Sequence, residues 1–227
     1  MCSRYEMKAS PGDLAGRFHL RDVPPDLAHP DRGAPFNARG DSPARAEVRP
    51  TDPAVIVVRA EDGARLARSA RFGLAVEWDR APVINARAET LWKKPTFRPL
   101  LLNRCLIPAS AYFEWRQDGR ARRRNRIALE GESLMGFAGL FDNDRFVIVT
   151  CAPAAALAHV HNRMPVILSA AAEEPWLDPN TSSAALAALL APYAGTIAAV
   201  EEKPKPVMNT RGGIRRRDPQ GDLFGGG

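Results

Sequence analysis

At 227 residues the chain has the length for one domain with a substantial buried core, and its 17 Gly and 20 Pro argue for many turns and against a helical bundle. A formal net charge of +6, from 32 Lys and Arg against 26 Asp and Glu, suits an anionic partner such as nucleic acid. Cys2, Cys105 and Cys151 share no CxxC spacing, which argues against a disulfide framework and a zinc site and predicts a reducing, cytoplasmic compartment, while neither a membrane span nor a signal peptide is expected.

In chain order, Ser10-Pro11-Gly12-Asp13 reads as a helix start leading into Leu14 to Leu20. Residues 31–46, rich in Gly, Pro, Ala and Arg, read as loop, and an adhesion role for the Arg39-Gly40-Asp41 triplet does not suit a cytosolic chain. Val55 to Val58 predicts a buried strand and Arg71 to Val76 another. At Asn85 the pattern predicts a switch from strand to helix running through Lys93. Two short strands are expected within 104–115, then a turn at Gly119 into Arg122 to Leu129. Leu134 to Leu140 and Phe146 to Cys151 predict further strands, with helical segments at Ala154 to His159 and Ala184 to Leu190. The tail from Thr210 through Arg215-Arg216-Arg217 to Gly227 predicts disorder. Many short strands and few helices predict an α+β fold. Its single domain, over 1–210, has a curved, barrel-like sheet core with a few flanking helices, and a basic, Gly-rich tail fills 211–227.

Four stretches carry polar residues where a core pattern would not ask for them. They are Met1-Cys2-Ser3-Arg4-Tyr5, Ile84 to Thr90, Ile107 to Trp115, and His159 to Leu168. Removal of Met1 would leave Cys2 with an α-amine of pKa roughly 7.7–8.0 beside a thiol of pKa about 8.5. Amine and thiol on neighbouring carbons capture aldehydes: the amine forms a Schiff base and the sulfur closes a five-membered thiazolidine. Read alone, the other stretches admit plainer accounts. Asn85 reads as a helix N-cap, Glu114 as a solvent-facing strand residue, and His161 as a loop histidine. His159 and His161 lack a third ligand at metal spacing, and Cys105 and Cys151 read as core. The cluster Arg120, Arg122, Arg123, Arg124 and Arg126 reads equally as a solvated hairpin or as a backbone contact on nucleic acid.

Together and in this order, the four stretches resemble the SRAP family, the SOS-response-associated peptidase or abasic-site-processing proteins. The matching segments are Met1-Cys2 with Arg4-Tyr5, Asn85-Ala86-Arg87 with Glu89-Thr90, Cys105 to Pro108 with Phe113-Glu114-Trp115, and His161 with Arg163 to Leu168. The resemblance implies a β-core with a positively charged groove for single-stranded DNA containing abasic sites. It implies a monomer that uses no cofactor or metal, has no membrane partner, and works in the cytoplasm on the nucleoid. Cys2 then corresponds to the nucleophile, Asn85 to the residue orienting its amine, Glu114 to a general acid/base, and His161 to the group assisting sugar ring-opening. Arg4, Arg87 and Arg163 correspond to phosphate contacts, and Pro50 and Trp78 to groups that stack on or wedge between bases. The activity implied is Schiff-base, lyase-like capture of the lesion as a covalent adduct, with a Cys2 autopeptidase activity.

The chemistry fits those residue types. Opening an abasic hemiacetal moves a proton off one oxygen and onto another, work suited to a carboxyl and an imidazole at roughly 10²–10⁴-fold each. Glu114, between Phe113 and Trp115, is expected to have a raised pKa. Some positions depart from the family pattern, among them Ser3, Phe72, Glu77 and Glu47 (Glu47-Val48-Arg49-Pro50 stands where relatives carry Asn-x-x-Pro). Two other classes stay open: an N-terminal-nucleophile hydrolase attacking amides through Cys2, and a single-strand binder without chemistry.

Overall fold

A computed structural model describes residues 2–23, 27 and 47–203. Met1, the Arg39-Gly40-Asp41 triplet, the expected loop over 31–46 and the tail from Thr210 lie outside the described residues. Among the described residues, fifteen strands and three α-helices follow in the order β1 (Tyr5–Glu6), α1 (Pro11–Phe18), β2 (Glu47–Val48), β3 (Pro53–Arg59), β4 (Arg65–Phe72), β5 (Leu74–Val76), β6 (Asp79–Val83), β7 (Asn85–Arg87), β8 (Arg104–Ala109), β9 (Ala111–Asp118), β10 (Ala121–Leu129), β11 (Met135–Asp142), β12 (Arg145–Cys151), β13 (Met164–Pro165), β14 (Ile167–Leu168), α2 (Ala170–Leu177), α3 (Ser183–Leu189) and β15 (Ile197–Glu201). The expected curved, barrel-like core is present. Strands β12, β4, β3, β8 and β11 pair in that order, and β11 pairs back onto β12, so the sheet closes into a ring. Closure removes the exposed edges that an open sheet would leave. A second, antiparallel sheet runs β15-β10-β9-β1-β2.

Ser110 is the joint between the two sheets, because β8 belongs to the ring and β9 to the second sheet. Its N–H donates to the Glu6 carbonyl at 2.7 Å, and its hydroxyl accepts from the Lys8 N–H at 3.0 Å. The N-terminal strand β1 is thereby tied into the joint. Tyr5 on β1 is fully buried, with edge-on ring contacts to Phe72 at 5.8 Å and Phe137 at 6.1 Å. Such contacts add to the burial of a large aromatic, so the segment carrying Cys2 is anchored by core packing.

The helix start at Ser10 forms as expected, with a capping box in which Ser10 and Asp13 satisfy each other's backbone N–H groups. It stops at Phe18, where His19 turns left-handed at φ 52. Three expectations differ. The strand Arg71 to Val76 is split at Gly73, whose φ of +111 turns the chain out of the ring into the β5–β6 hairpin. The helix from Asn85 to Lys93 is absent: Asn85–Arg87 is a strand parallel to Ile148–Thr150, followed by a short 3-10 turn over Ala88–Thr90. Pairing with β12 supplies the hydrogen bonds that a lone helix would have made for itself. The helix at Ala154 to His159 shrinks to a 3-10 turn, Ala155–Leu157, since so short a segment does not offset helix nucleation. α2 and β15 were not anticipated. Among the described residues no helix is long and apolar enough to cross a membrane.

Candidate active site

Two of the polar stretches meet at the N-terminal strand by hydrogen bonding. The Phe113 N–H donates to the Arg4 carbonyl at 3.0 Å, which sets residues 2–4 alongside the start of β9. From β7, Asn85 Nδ2 donates to the Cys2 carbonyl at 3.1 Å. Asn85 is therefore a clamp on the backbone of Cys2 and not a helix cap. Its Oδ1 is buried and accepts no hydrogen bond from the described residues, so an acceptor stands ready beside Cys2.

Glu114 closes the site from β9. It is 3% exposed and not solvent-facing. Burial pushes its carboxyl up to about 7, against the pull of the N-terminal ammonium group and of Arg122. His161 faces it, Nε2 lying 3.8 Å from Glu114 Oε2. The Arg163 N–H donates to His161 Nδ1 at 3.0 Å, the Arg163 carbonyl lies 3.2 Å from the same nitrogen, and Nε2 is the nitrogen turned towards Glu114. Burial, with the N-terminal charge, lowers the His161 pKa and favours the neutral ring. A hollow of about 430 Å³ opens here, lined by Ser3, Arg4, Glu114, Trp115, Arg122 and His161, with Gln117 at its edge.

The Cys2 thiol is fully buried, and burial first, then the Glu114 carboxylate, push its pKa far above the usual range. At neutral pH it is a thiol and not a thiolate. Cys105 and Cys151 are likewise buried and unbridged, as a core reading expects.

Arginines surround the hollow in three environments. Arg4 stacks on Trp115 at 5.5 Å and pairs with Glu47 at 3.2 Å. Arg163 is engaged by Glu89 at 2.6 and 3.0 Å and by the Thr150 carbonyl at 2.6 Å. Arg87 is exposed and lies on the same face of β7 as Asn85, two residues away. Trp78 stands 69% exposed at the tip of the β5–β6 hairpin, and Pro50 is half-buried in the turn after β2. Trp115 was not singled out by sequence, yet Arg4, Arg122 and Arg124 all stack around it at 5.5, 5.6 and 5.8 Å. An aromatic flanked by arginines on a paired strand was the signal for it. Among the described residues no group of three His, Cys, Asp or Glu is placed to hold a metal.

Comparison with known proteins identifies the family. The family described as SOS response associated peptidase (SRAP) matches residues 1–209. The abasic site processing protein YoaM of Bacillus subtilis is 34% identical over 210 residues, covering 85% of this chain and 86% of that one. The abasic site processing protein YedK of Escherichia coli is 29% identical over 149 residues, covering 62% and 66%. A crystal structure of a protein from Bacteroides thetaiotaomicron shares the fold at a TM-score of 0.74 and 24% identity, covering 89% of this chain and 92% of that one. The chain belongs to the SOS response associated peptidase (SRAP) family.

Proposed function

We propose that the chain binds single-stranded DNA and captures the aldehyde of an abasic site through Cys2, once Met1 has been removed. The observation that carries this reading is the cluster itself: a carboxyl with a pKa of about 7 beside Cys2 and 3.8 Å from a histidine. The protonated Glu114 carboxyl gives its proton to the ring oxygen of the closed sugar while its other oxygen takes the anomeric hydroxyl proton, and His161, held against that carboxyl, assists by hydrogen bonding. The ring bond breaks, leaving an aldehyde and a hydroxyl on the former ring carbon. The Cys2 amine attacks the aldehyde to give a carbinolamine, and protonated Glu114 gives its proton to the departing water and takes one back from the nitrogen as the imine forms. The thiol sulfur then adds to the imine carbon, and its proton passes to the nitrogen, closing a thiazolidine. Asn85 holds the Cys2 backbone throughout, with Oδ1 free to accept from the amine.

The buried thiol favours this order over direct attack by sulfur. A hydrolase working through Cys2 would need a thiolate, which the site disfavours. An amine-first route needs the sulfur only after the imine is in place. Arg87, Arg4 and Arg163 serve phosphates beside the lesion, and Pro50 and Trp78 the neighbouring bases.

The test is incubation with a single strand carrying one abasic site, followed by a denaturing gel. A band that survives denaturant and heat is expected from the native chain. Cys2→Ala should give only an adduct that requires borohydride trapping. A heat-stable adduct of normal yield from Cys2→Ala would sink the thiazolidine.

A further inference from the structure

Beside the Glu114 hollow lies a second one, of about 590 Å³, lined by five basic side chains, among them Arg49, Arg122 and Arg124, and by the acidic Glu47 and Glu202. Arg122 lines both hollows, so the two are neighbours. Glu47 is the centre of the second. Its Oε1 accepts from Arg4 Nη1 at 3.2 Å and from Arg49 Nε at 3.0 Å, and its Oε2 accepts from Arg124 Nη2 at 2.5 Å. Three guanidinium groups from separate parts of the chain thus converge on one carboxylate. Among the described residues, the only further acid pairing of the three is Arg124 with Glu202, at 3.1 Å. A carboxylate and a phosphodiester present the same pair of charged acceptor oxygens to such forks.

Two of the three arginines have ring contacts besides Glu47. Arg4 and Arg124 stack on Trp115 at 5.5 and 5.8 Å, and Arg124 lies 3.7 Å over the Phe113 ring. Cation–π contacts hold guanidinium groups in place when a carboxylate partner leaves. Glu47 sits on β2, a two-residue strand at the edge of its sheet, with its side chain 16% exposed. Burial alone would raise its pKa, but hydrogen bonding and charge from Arg124 and Arg49 outweigh this and hold it below the ordinary carboxylate range. It is a fixed anion at the mouth of a cationic hollow.

We infer that Glu47 occupies a phosphate subsite: when a nucleic-acid strand enters the Glu114 hollow, a neighbouring backbone phosphate displaces the Glu47 carboxylate and takes over Arg4, Arg49 and Arg124. This rests on the reading of the chain as a nucleic-acid binder. Exchanging one anion for another costs most of what the new contact gains, so Glu47 limits the affinity for strands in general.

The experiment is a salt titration of binding, by fluorescence anisotropy, to an intact single-stranded oligonucleotide without an abasic site. Glu47→Gln keeps the shape and removes the charge; it should bind roughly 3–10-fold tighter at about 0.15 M salt, since a partly exposed ion pair is all that is lost. The slope of log K against log salt should not change, because the same phosphate is contacted in both proteins. Arg124→Ala should weaken binding and flatten the slope by about 0.7, the value for one single-strand phosphate. In the double variant the gain from Glu47→Gln should disappear. Glu47→Ala, which leaves no amide to compete, should bind at least as tightly as Glu47→Gln. Unchanged or weaker binding by both Glu47 variants would overturn the proposal, because Glu47 would then be organising the arginines. Binding by neither the native chain nor the variants would overturn it too. Failure to form the covalent adduct, with these shifts intact, would count only against the abasic-site chemistry.

Discussion

Glu114 and Glu173 are both buried carboxylates, at 3% and 1% exposed, but they lie in opposite electrostatic surroundings. Glu173, on α2, is held between Arg17 at 2.8 Å and Arg65 at 3.0 Å. It joins α1, β4 and α2 through two ion pairs. Glu114 faces an imidazole at 3.8 Å that burial keeps neutral, and its own carboxyl is pushed up to about 7. Burial alone does not make an acid reactive. A full set of cations turns a buried glutamate into a structural tie, whereas an incomplete one leaves a group that exchanges protons near neutral pH.

The largest effect expected from this contrast is on rate. Glu114→Gln should slow formation of the abasic-site adduct by about 10²–10⁴-fold, the usual weight of a general acid/base, and leave binding of intact single strands within about twofold. The same change should stabilise the fold. A carboxyl whose folded pKa lies above its unfolded value loses stability as pH rises between the two, here from 4.5 to about 7, and stays at the lower level above that. Glu114→Gln removes that loss, so above pH 7 it should be more stable than the native chain by on the order of 3 kcal/mol, with no gain near pH 4. Urea unfolding at pH 4, 6 and 8 measures the difference. A less stable variant at pH 8 would falsify the assignment of Glu114 as an acid held against its preference for water.

Glu173→Gln should do the reverse. Removing one partner of a buried pair costs about 3 kcal/mol, at the low end of the range here because Arg65 keeps Glu174 at 3.1 Å. The melting temperature should fall by roughly 6–12 °C for a chain of this size. Adduct formation by the folded fraction at low temperature should be unchanged. A loss of rate without loss of stability would place α2 in the chemistry and break the contrast.

Sequence made one side of this comparison visible and hid the other. Cys2, Asn85, Glu114 and His161 stand in short polar stretches, Asn85, Glu114 and His161 read singly as ordinary structure, and only the order of the stretches, through the family resemblance, singled the four out; the structure brings all four together. Glu173 lies in Ala170–Leu177, a stretch with no apolar stripe to mark it as an element, and its partners are over a hundred residues away at Arg65 and Arg17. Glu47 and Arg124, and Glu89 and Arg163, are hidden for the same reason: local periodicity carries no information about partners distant in sequence. The ring was readable as many short strands, but its closure depends on pairings such as Val57 with Leu106, which no local pattern encodes. Asn85 shows the opposite error. Its local pattern favours a helix cap, and parallel pairing with β12 overrides it.

A smaller effect is the pH dependence of capture. The α-amine must be unprotonated, with a pKa of roughly 7.7–8.0, so the rate rises with pH on one side. Glu114 must be protonated to release water, so the rate falls above its pKa of about 7 on the other. The product is a bell centred near pH 7.5, changing by about tenfold within 1.5 units on each side. Glu114→Gln should lose the descending limb and keep the ascending one. A native profile that only rises would mean that water loss does not depend on the Glu114 proton.

The smallest effect expected concerns a buried polar atom with no charge at all. The Tyr5 hydroxyl is fully buried and has no hydrogen-bond partner among the described residues, and its pKa is raised first by burial and then by Cys2. An unsatisfied buried hydroxyl costs about 1–3 kcal/mol, so it is either a defect tolerated for the ring contacts beneath it or an acceptor kept open for the chemistry next door. Tyr5→Phe separates these. The contacts with Phe72 and Phe137 are made by the ring and survive the change. As a defect, the hydroxyl's removal should leave the adduct rate within about twofold and raise stability by up to about 1 kcal/mol. As part of the site, its loss should lower the rate about tenfold or more with stability unmoved or higher. The anchoring role of β1 favours the first outcome, because Tyr5 lies on the strand that positions Cys2 and its ring is what fixes that strand. Tyr5→Ala supplies the control. It should cost about 3–5 kcal/mol, and any rate lost with it should track the unfolded fraction. A slow but fully folded Tyr5→Phe would move Tyr5 to the same side of the comparison as Glu114.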